Sequence, residues 1–323
     1  VELFRTVTPP TGGAEHLPAP VPVEAAGRLR DIAAFFAAVQ GVSPEAPLRP
    51  IAQPRLIALG GEDSRRVSPT ASTSDAPTDV AKSDVAKATA TADTATATSS
   101  LTPIAQFRSG TGPVRAFAEA TGVPAELVDV PHHSSFEEAL ALGIRAADAQ
   151  ADCGVDLVLP APLGIPDEEA LALLGLLCSE EPVVVVGFHG TADKQWSQRV
   201  ERVRDLMFGV RSHRGSAAEV LRHLSSPAMA ALVGFLAQSA VRRTPVLLDT
   251  TVTCVAACYA QALAPGAQSW MLAGQLTPQA GHLLAVRHLG LTPLFALNMP
   301  LGMGTGAAAA LPLIRAATTL YSG

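Results

Sequence analysis

The chain has 323 residues, a formal net charge of −6, 48% apolar residues, 16% charged residues and 4% aromatic residues. That length holds one large α/β domain or two smaller ones with an ample core, which must be built from Ala, Leu and Val. The acidic balance, with no basic stripe, argues against nucleic acid as the main partner, and no apolar stretch is long enough to span a bilayer.

Residues 1–23 are rich in proline and glycine (Pro9, Pro10, Gly12, Gly13, Pro18, Pro20, Pro22). They predict an extended arm, either of the kind that drapes over a partner subunit or simply a loosely held terminus. No basic start is followed by an apolar run, so a signal peptide is not expected and a cytoplasmic setting is. The folded domain is expected over 24–323. Helical spacing of Leu29, Ile32, Ala33, Phe35, Phe36 and Val39 predicts a helix over 24–40, stopped by Gly41. Residues 54–61 read as a short buried strand ending at Glu62 and Asp63. Ligands of parallel sheets bind at the carboxyl ends of strands, which gives those acids a place near chemistry. Between Gly60 and Ser100 there is no Leu, Ile, Phe, Trp or Tyr. The repeat Asp79-Val80-Ala81-Lys82, Asp84-Val85-Ala86-Lys87 and the Thr/Ala alternation after it predict a low-complexity, mobile loop over 69–101.

A helix is predicted over 112–121 and a strand over 126–130. His132-His133 follows, then a helix capped by Ser134 or Ser135 and reaching about Ala151. A strand over 155–159 leads into a loop through Gly164, and Asp167, Glu168 and Glu169 open the next helix, where acids offset the helix dipole. Residues 182–188 form a continuous apolar run and predict a parallel strand, ending at His189-Gly190-Thr191-Ala192-Asp193. A polar helix with Lys194, Arg199, Arg202 and Arg204 follows, then helices from Ser216 to about Leu224 and over 227–240. Strands are predicted over 244–249, 269–272 and 291–297, with helices from Asp249 to about Leu263 and over 277–289 between them. Cys153, Cys178, Cys254 and Cys258 contain no CxxC pair. They read as small buried hydrophobes of a reducing compartment, with neither metal nor cofactor expected.

The last element carries the sharpest local signal. Leu301-Gly302-Met303-Gly304-Thr305-Gly306 runs into an alanine-rich helix, and free N–H groups at such a helix start favour an anion. The bland alternative is a glycine turn where a helix packs closely. The alternation of strands and helices predicts an α/β fold: a three-layer α/β/α arrangement with a mostly parallel sheet and a small helical subdomain from the N- and C-terminal segments.

Several stretches resemble one family in collinear order: Val241-Arg242-Arg243-Thr244-Pro245-Val246-Leu247-Leu248-Asp249, Ala264-Pro265-Gly266-Ala267, Leu289-Gly290-Leu291-Thr292-Pro293-Leu294, and Leu301-Gly302-Met303-Gly304-Thr305-Gly306-Ala307. Weaker matches are Gly27-Arg28-Leu29, Pro54 to Gly61, Val128-Asp129-Val130 and Leu163-Gly164-Ile165. The chain resembles the nicotinate-nucleotide–dimethylbenzimidazole phosphoribosyltransferases, the CobT family. The resemblance implies transfer of the phosphoribosyl group of nicotinate mononucleotide to 5,6-dimethylbenzimidazole. Its partners would be a small-molecule nucleotide and an azole base, with a homodimer, or a heteromer with an active family member, as the assembly.

The resemblance also implies that glycine loops bind phosphate, which would fall on Gly302, Gly304, Thr305, Gly306, Gly187, Gly190 and Gly164. A glutamate in the family's LGEGTG loop takes the proton released by the attacking base; Met303 stands at that position, and a thioether is no base. The family's Gly-acid-Met-Gly-Ile-Gly loop reads Ala161-Pro162-Leu163-Gly164-Ile165-Pro166 here. Its VGRGTG turn reads Val186-Gly187-Phe188-His189-Gly190-Thr191, and its lysine falls near Arg199. A substitute base would be Glu168, Glu169, Asp193 or Asp249. Two functions stay open: a working transferase, or a catalytically inactive relative that binds a nucleotide or pairs with an active subunit.

Overall fold

The computed structural model describes residues 4–61, 101–188 and 193–322. Glu62, Asp63, Gly190 and almost all of the expected low-complexity loop lie outside the described residues. Among the described residues, five strands form one sheet: β1 (Pro54–Gly60), β2 (Ala125–Asp129), β3 (Leu157–Pro162), β4 (Val246–Leu248) and β5 (Met271–Ala273). Their order is β2-β1-β3-β4-β5 and every pairing is parallel. From β1 the chain steps outward to β2, then returns past β1 to β3 and continues the other way. Connections leaving β1 and β3 in opposite directions open a crevice at their carboxyl ends.

The helices are α1 (Val23–Ala26), α2 (Arg28–Gln40), α3 (Pro103–Arg108), α4 (Gly112–Thr121), α5 (Phe136–Asp152), α6 (Asp167–Cys178) and α7 (Pro182–Val186). After them come α8 (Asp193–Gly209), α9 (Ala217–Leu224), α10 (Pro227–Val241), α11 (Thr251–Leu263), α12 (Ala280–His288) and α13 (Thr305–Leu320). Among the described residues no helix is long and apolar enough to cross a membrane.

Side-chain alternation along the strands builds two cores. β1 sends Ile57 and Leu59 to one face, where α5, α6, α10 and α11 pack, and Leu56 and Ala58 to the other, where α2, α4 and α13 pack. The second layer joins helices from the two chain ends with α3 and α4 from the middle of the chain, and it packs on the sheet. α5 and α10 cross at very short range because each places a glycine at the crossing. A Cβ on Gly143 would overlap the Ala231 carbonyl oxygen, and one on Gly234 would overlap that of Leu140. Ser135 caps α5, accepting from the Glu138 N–H at 3.3 Å while the Glu138 carboxylate accepts from the Ser135 N–H at 2.8 Å.

The arm residues Phe4 and Val7 are buried in the first core. The Val7 N–H donates to Pro265 O at 2.7 Å, and the Trp270 indole N–H donates to Thr8 O at 3.1 Å. This stretch of the arm therefore lies on its own chain.

Several local readings differ from expectation. Residues 182–186 are helical, not a strand. Pro182 presets φ for a first helical turn, and burial is one-sided, with Val185 and Val186 inside and Val183 and Val184 outside. β4 pairs directly with β3, so the sheet has no slot for a strand between them. A short apolar run cannot by itself separate a buried strand from a helical turn. Residues 291–297 make one isolated bridge, Gln275 to Phe295, instead of a strand. The helix expected from Thr277 begins at Ala280, because the Thr277 N–H and hydroxyl bind the His282 ring, at 3.1 and 2.9 Å. The helix expected over 24–40 is broken at Gly27, whose φ is 48°. Of the cysteines, Cys254 and Cys258 are buried as expected, while Cys153 is exposed and Cys178 half-buried.

Candidate active site

Two cavities open near the carboxyl ends of the strands, and the turn that enters α6 divides them. Gly164, Pro166 and Glu169 face the first; Ile165, Asp167 and Glu168 face the second. The first, of about 550 Å³, lies at the β1/β3 crevice. It is bounded by Gly61 after β1, Val130, His132 and His133 after β2, Leu163 after β3, α3 around Ile104, and the Ser226-Pro227 start of α10. Most of these walls are apolar.

Among the described residues, Glu169 is the one carboxylate that lines this cavity. Its Oε1 accepts from the Ser226 N–H at 2.7 Å and from the Ser226 hydroxyl at 2.9 Å. Its Oε2 has no hydrogen bond among the described residues. Burial pushes its carboxyl up to about 7, outweighing the two Ser226 bonds, which act the other way.

The second cavity, of about 630 Å³, is lined by charged side chains of α6 and α8 together with Gly187 and Trp196. Arg199 pairs with Asp167 at 3.1 Å and Arg202 with Glu168 at 2.8 Å. Burial would lift the Glu168 carboxyl, but the Arg202 hydrogen bond and the nearby positive charges hold it below its ordinary value. The Trp196 indole N–H donates to Gly187 O at 2.8 Å, and Arg199 Nε is buried without a partner among the described residues.

Asp249 sits apart from both cavities, at the end of β4 and fully buried. Its Oδ1 accepts from Gln275 Nε2 at 2.9 Å, and the same nitrogen donates to Met299 O at 3.0 Å. Burial pushes its carboxyl up to about 6, although Gln275 and the N–H groups of Gly304, Gly306 and Thr305 favour the charged form. Among the described residues, Asp249 Oδ2 and Gln275 Oε1 have no hydrogen-bond partner. The start of α13 thus faces an anion supplied by the chain itself. Gly302, Gly304, Thr305 and Gly306 line neither of the two cavities. The Thr305 hydroxyl donates to Gly302 O at 2.7 Å, closing the turn. Met303 adopts φ 57° and packs, half-buried, against the second core.

The structure therefore brings Gly164, Glu168 and Gly187 to the cavities and gathers Asp249 with Met303 and the last glycines elsewhere. Sequence reasoning named Glu169 only among several acids and missed Ser226. The signal for Ser226 was the Ser226-Pro227 pair at a helix start, which places a hydroxyl and a free N–H together. His213, Glu219 and His223 bring ligand atoms within 4.8 Å of one another. The two rings stack at 4.0 Å and 19°, however, so their in-plane lone pairs do not converge on one ion.

The raised carboxyl of Glu169 has a consequence for stability. The folded state holds its proton more tightly than the unfolded chain, so stability falls as pH rises from about 4.5 to about 7. The largest such loss for a shift of this size is about 3 kcal/mol. His282, buried and pushed down to about 4, acts oppositely and costs stability as pH falls below its unfolded value. Glu169→Gln removes only the first effect. Thermal melts should show the variant gaining on the parent between pH 5 and pH 8; a constant difference in Tm would refute the assignment.

A sequence profile of the phosphoribosyltransferase family matches residues 16–323. The chain is 40% identical over 306 residues to the nicotinate-nucleotide–dimethylbenzimidazole phosphoribosyltransferase of Corynebacterium efficiens, covering 93% of this chain and 82% of that protein. It is 35% identical to the protein of the same name from Mycobacterium avium, over 99% of this chain and 95% of the relative. The crystal structure of CobT from Thermus thermophilus superposes with a TM-score of 0.72 over 95% of this chain and 93% of that one. At 23% identity that likeness speaks for the fold. The profile covers residues 16–323, and the two relatives are covered over 82% and 95% of their own lengths; the chain belongs to the CobT-type phosphoribosyltransferase family.

Proposed function

We propose that this protein transfers the phosphoribosyl group of nicotinate mononucleotide to a benzimidazole, the reaction for which its relatives are named. The observation that carries the reading is the pair of cavities on either side of residues 164–169, one lined by paired charges and one mostly apolar. Arg199, Arg202 and the backbone near Gly187 would hold the nucleotide's phosphate or carboxylate, and the apolar cavity would take the flat base. The last glycine loop keeps a supporting role: it anchors Asp249 and the start of α13.

Met303 favours a second reading. If the family's proton acceptor belongs at that position, the chain is a non-catalytic relative that binds a nucleotide or partners an active subunit. Nicotinate release from nicotinate mononucleotide with 5,6-dimethylbenzimidazole separates the two. The parent should release nicotinate, and Met303→Glu should change its rate by less than about tenfold, because a base is worth about a hundredfold or more only where none is present. A parent that stays silent until Met303→Glu is introduced would establish the second reading and reject the first.

A further inference from the structure

Transfer to an azole releases the N–H proton of the attacking ring, and the family resemblance leaves a thioether where the acceptor belongs. We propose that Glu169 accepts that proton from an N–H azole bound in the cavity at the β1/β3 crevice, with Ser226 as its positioning residue. The proposal rests on the transferase reading above and names the base of that same site.

The geometry separates Glu169 from the other acids. Its Oε1 is pinned by two donors on one residue, while Oε2 has no hydrogen bond among the described residues. The oxygen available for a ring N–H is thus held on a carboxylate whose orientation is fixed. Around it, Ile104, Val130, Leu163, Pro166 and Pro227 provide apolar walls suited to a bicyclic aromatic ring. Glu168 faces the other cavity and is tied to Arg202. Asp249 borders neither cavity, and Asp193 is exposed at the start of α8. Burial also brings the Glu169 carboxyl close to neutral pH, where a general base works best. Among the described residues, the other titratable groups on this cavity are His132 and His133, from the loop after β2.

The step balances. One azole nitrogen forms a bond to C1′ of the ribose. The bond from C1′ to the pyridinium nitrogen breaks and its electron pair stays on that nitrogen, giving neutral pyridine in the departing nicotinate. The proton on the second azole nitrogen passes to Glu169 Oε2 and then to solvent.

The test compares the parent with Glu169→Gln and Ser226→Ala in nicotinate release across pH 5–9, and in titration with 5,6-dimethylbenzimidazole alone. Thermal melts establish that each variant is folded. Glu169→Gln should lower kcat about a hundredfold or more while KM for nicotinate mononucleotide stays within about threefold. Ser226→Ala should lower the plateau rate by less than Glu169→Gln does and move the acidic limb to higher pH, since a donor that both holds and stabilises the carboxylate is lost. A merely structural Ser226 would leave that limb in place. Glu169→Gln turnover within about threefold of the parent, with an unchanged acidic limb, would overturn the proposal. A parent that releases no nicotinate would instead sink the transferase reading, and the titration then decides. Azole affinity reduced about tenfold by Glu169→Gln at pH 8 would uphold the Glu169–azole contact, and equal affinity would reject it.

Discussion

Gly143→Ala should destabilise the protein by about 3 kcal/mol or more, or prevent it from folding. The direction is what makes the experiment informative. Gly143 lies in the interior of α5, where alanine is ordinarily favoured over glycine by about 1 kcal/mol. Propensity alone therefore predicts a gain. Packing predicts the reverse: the new Cβ would overlap the Ala231 carbonyl oxygen and lie 2.8 Å from the Phe235 backbone nitrogen. Both obstacles are backbone of α10, whose side chains from Met229 to Ala237 are nearly all buried, so the helix has nowhere to retreat. Gly154→Ala is not a clean control because Gly154 has φ 73°. Gly209→Ala, with open space around its Cβ in the last turn of α8, is suitable. Chemical denaturation should show a large drop in midpoint for Gly143→Ala and almost none for Gly209→Ala. A stabilised Gly143→Ala would mean that α5 and α10 can separate without penalty.

Gly306→Ala is expected to be about as costly, roughly 3 kcal/mol, for an electrostatic reason added to a steric one. A Cβ there would overlap Gln275 Nε2 and Asp249 Oδ1, the two atoms that hydrogen-bond at 2.9 Å. Relief requires parting them, and Asp249 would then be a fully buried carboxylate stripped of its side-chain donor. Asp249 should respond by holding its proton to higher pH. The loss in Tm for Gly306→Ala should therefore be smaller at pH 5 than at pH 8. A pH-independent loss would assign the whole effect to crowding.

These two glycines mark where sequence reasoning reaches and where it stops. The strand around Leu56–Leu59, the helix capped by Ser135 and the parallel alternation are legible because they rest on local periodicity and on capping residues a few positions apart. The run at Pro182–Val186 reads as a strand and folds as a helix: β4 takes the place beside β3, and a local pattern carries no record of which sheet positions are filled. At the last glycine loop the anion preference of a helix start is legible, but its occupant is not. The chain meets that preference with Asp249, more than fifty residues upstream of the turn, and frees the loop from needing a ligand charge. Glu169 is visible as one of three consecutive acids; that it turns to a different cavity from Asp167 and Glu168 follows from the turn into α6. Its clamp is Ser226, 57 positions away, a separation at which no spacing rule operates.

The contact between the arm and the turn before β5 also sets an order of assembly. Trp270 donates to Thr8 across a separation of 262 positions. At translation rates of roughly 5–20 residues per second, the arm of a nascent chain has no docking surface for roughly 13–50 s. Until then Phe4 and Val7 are unshielded apolar side chains on a tether, available to a chaperone or to a neighbouring polypeptide.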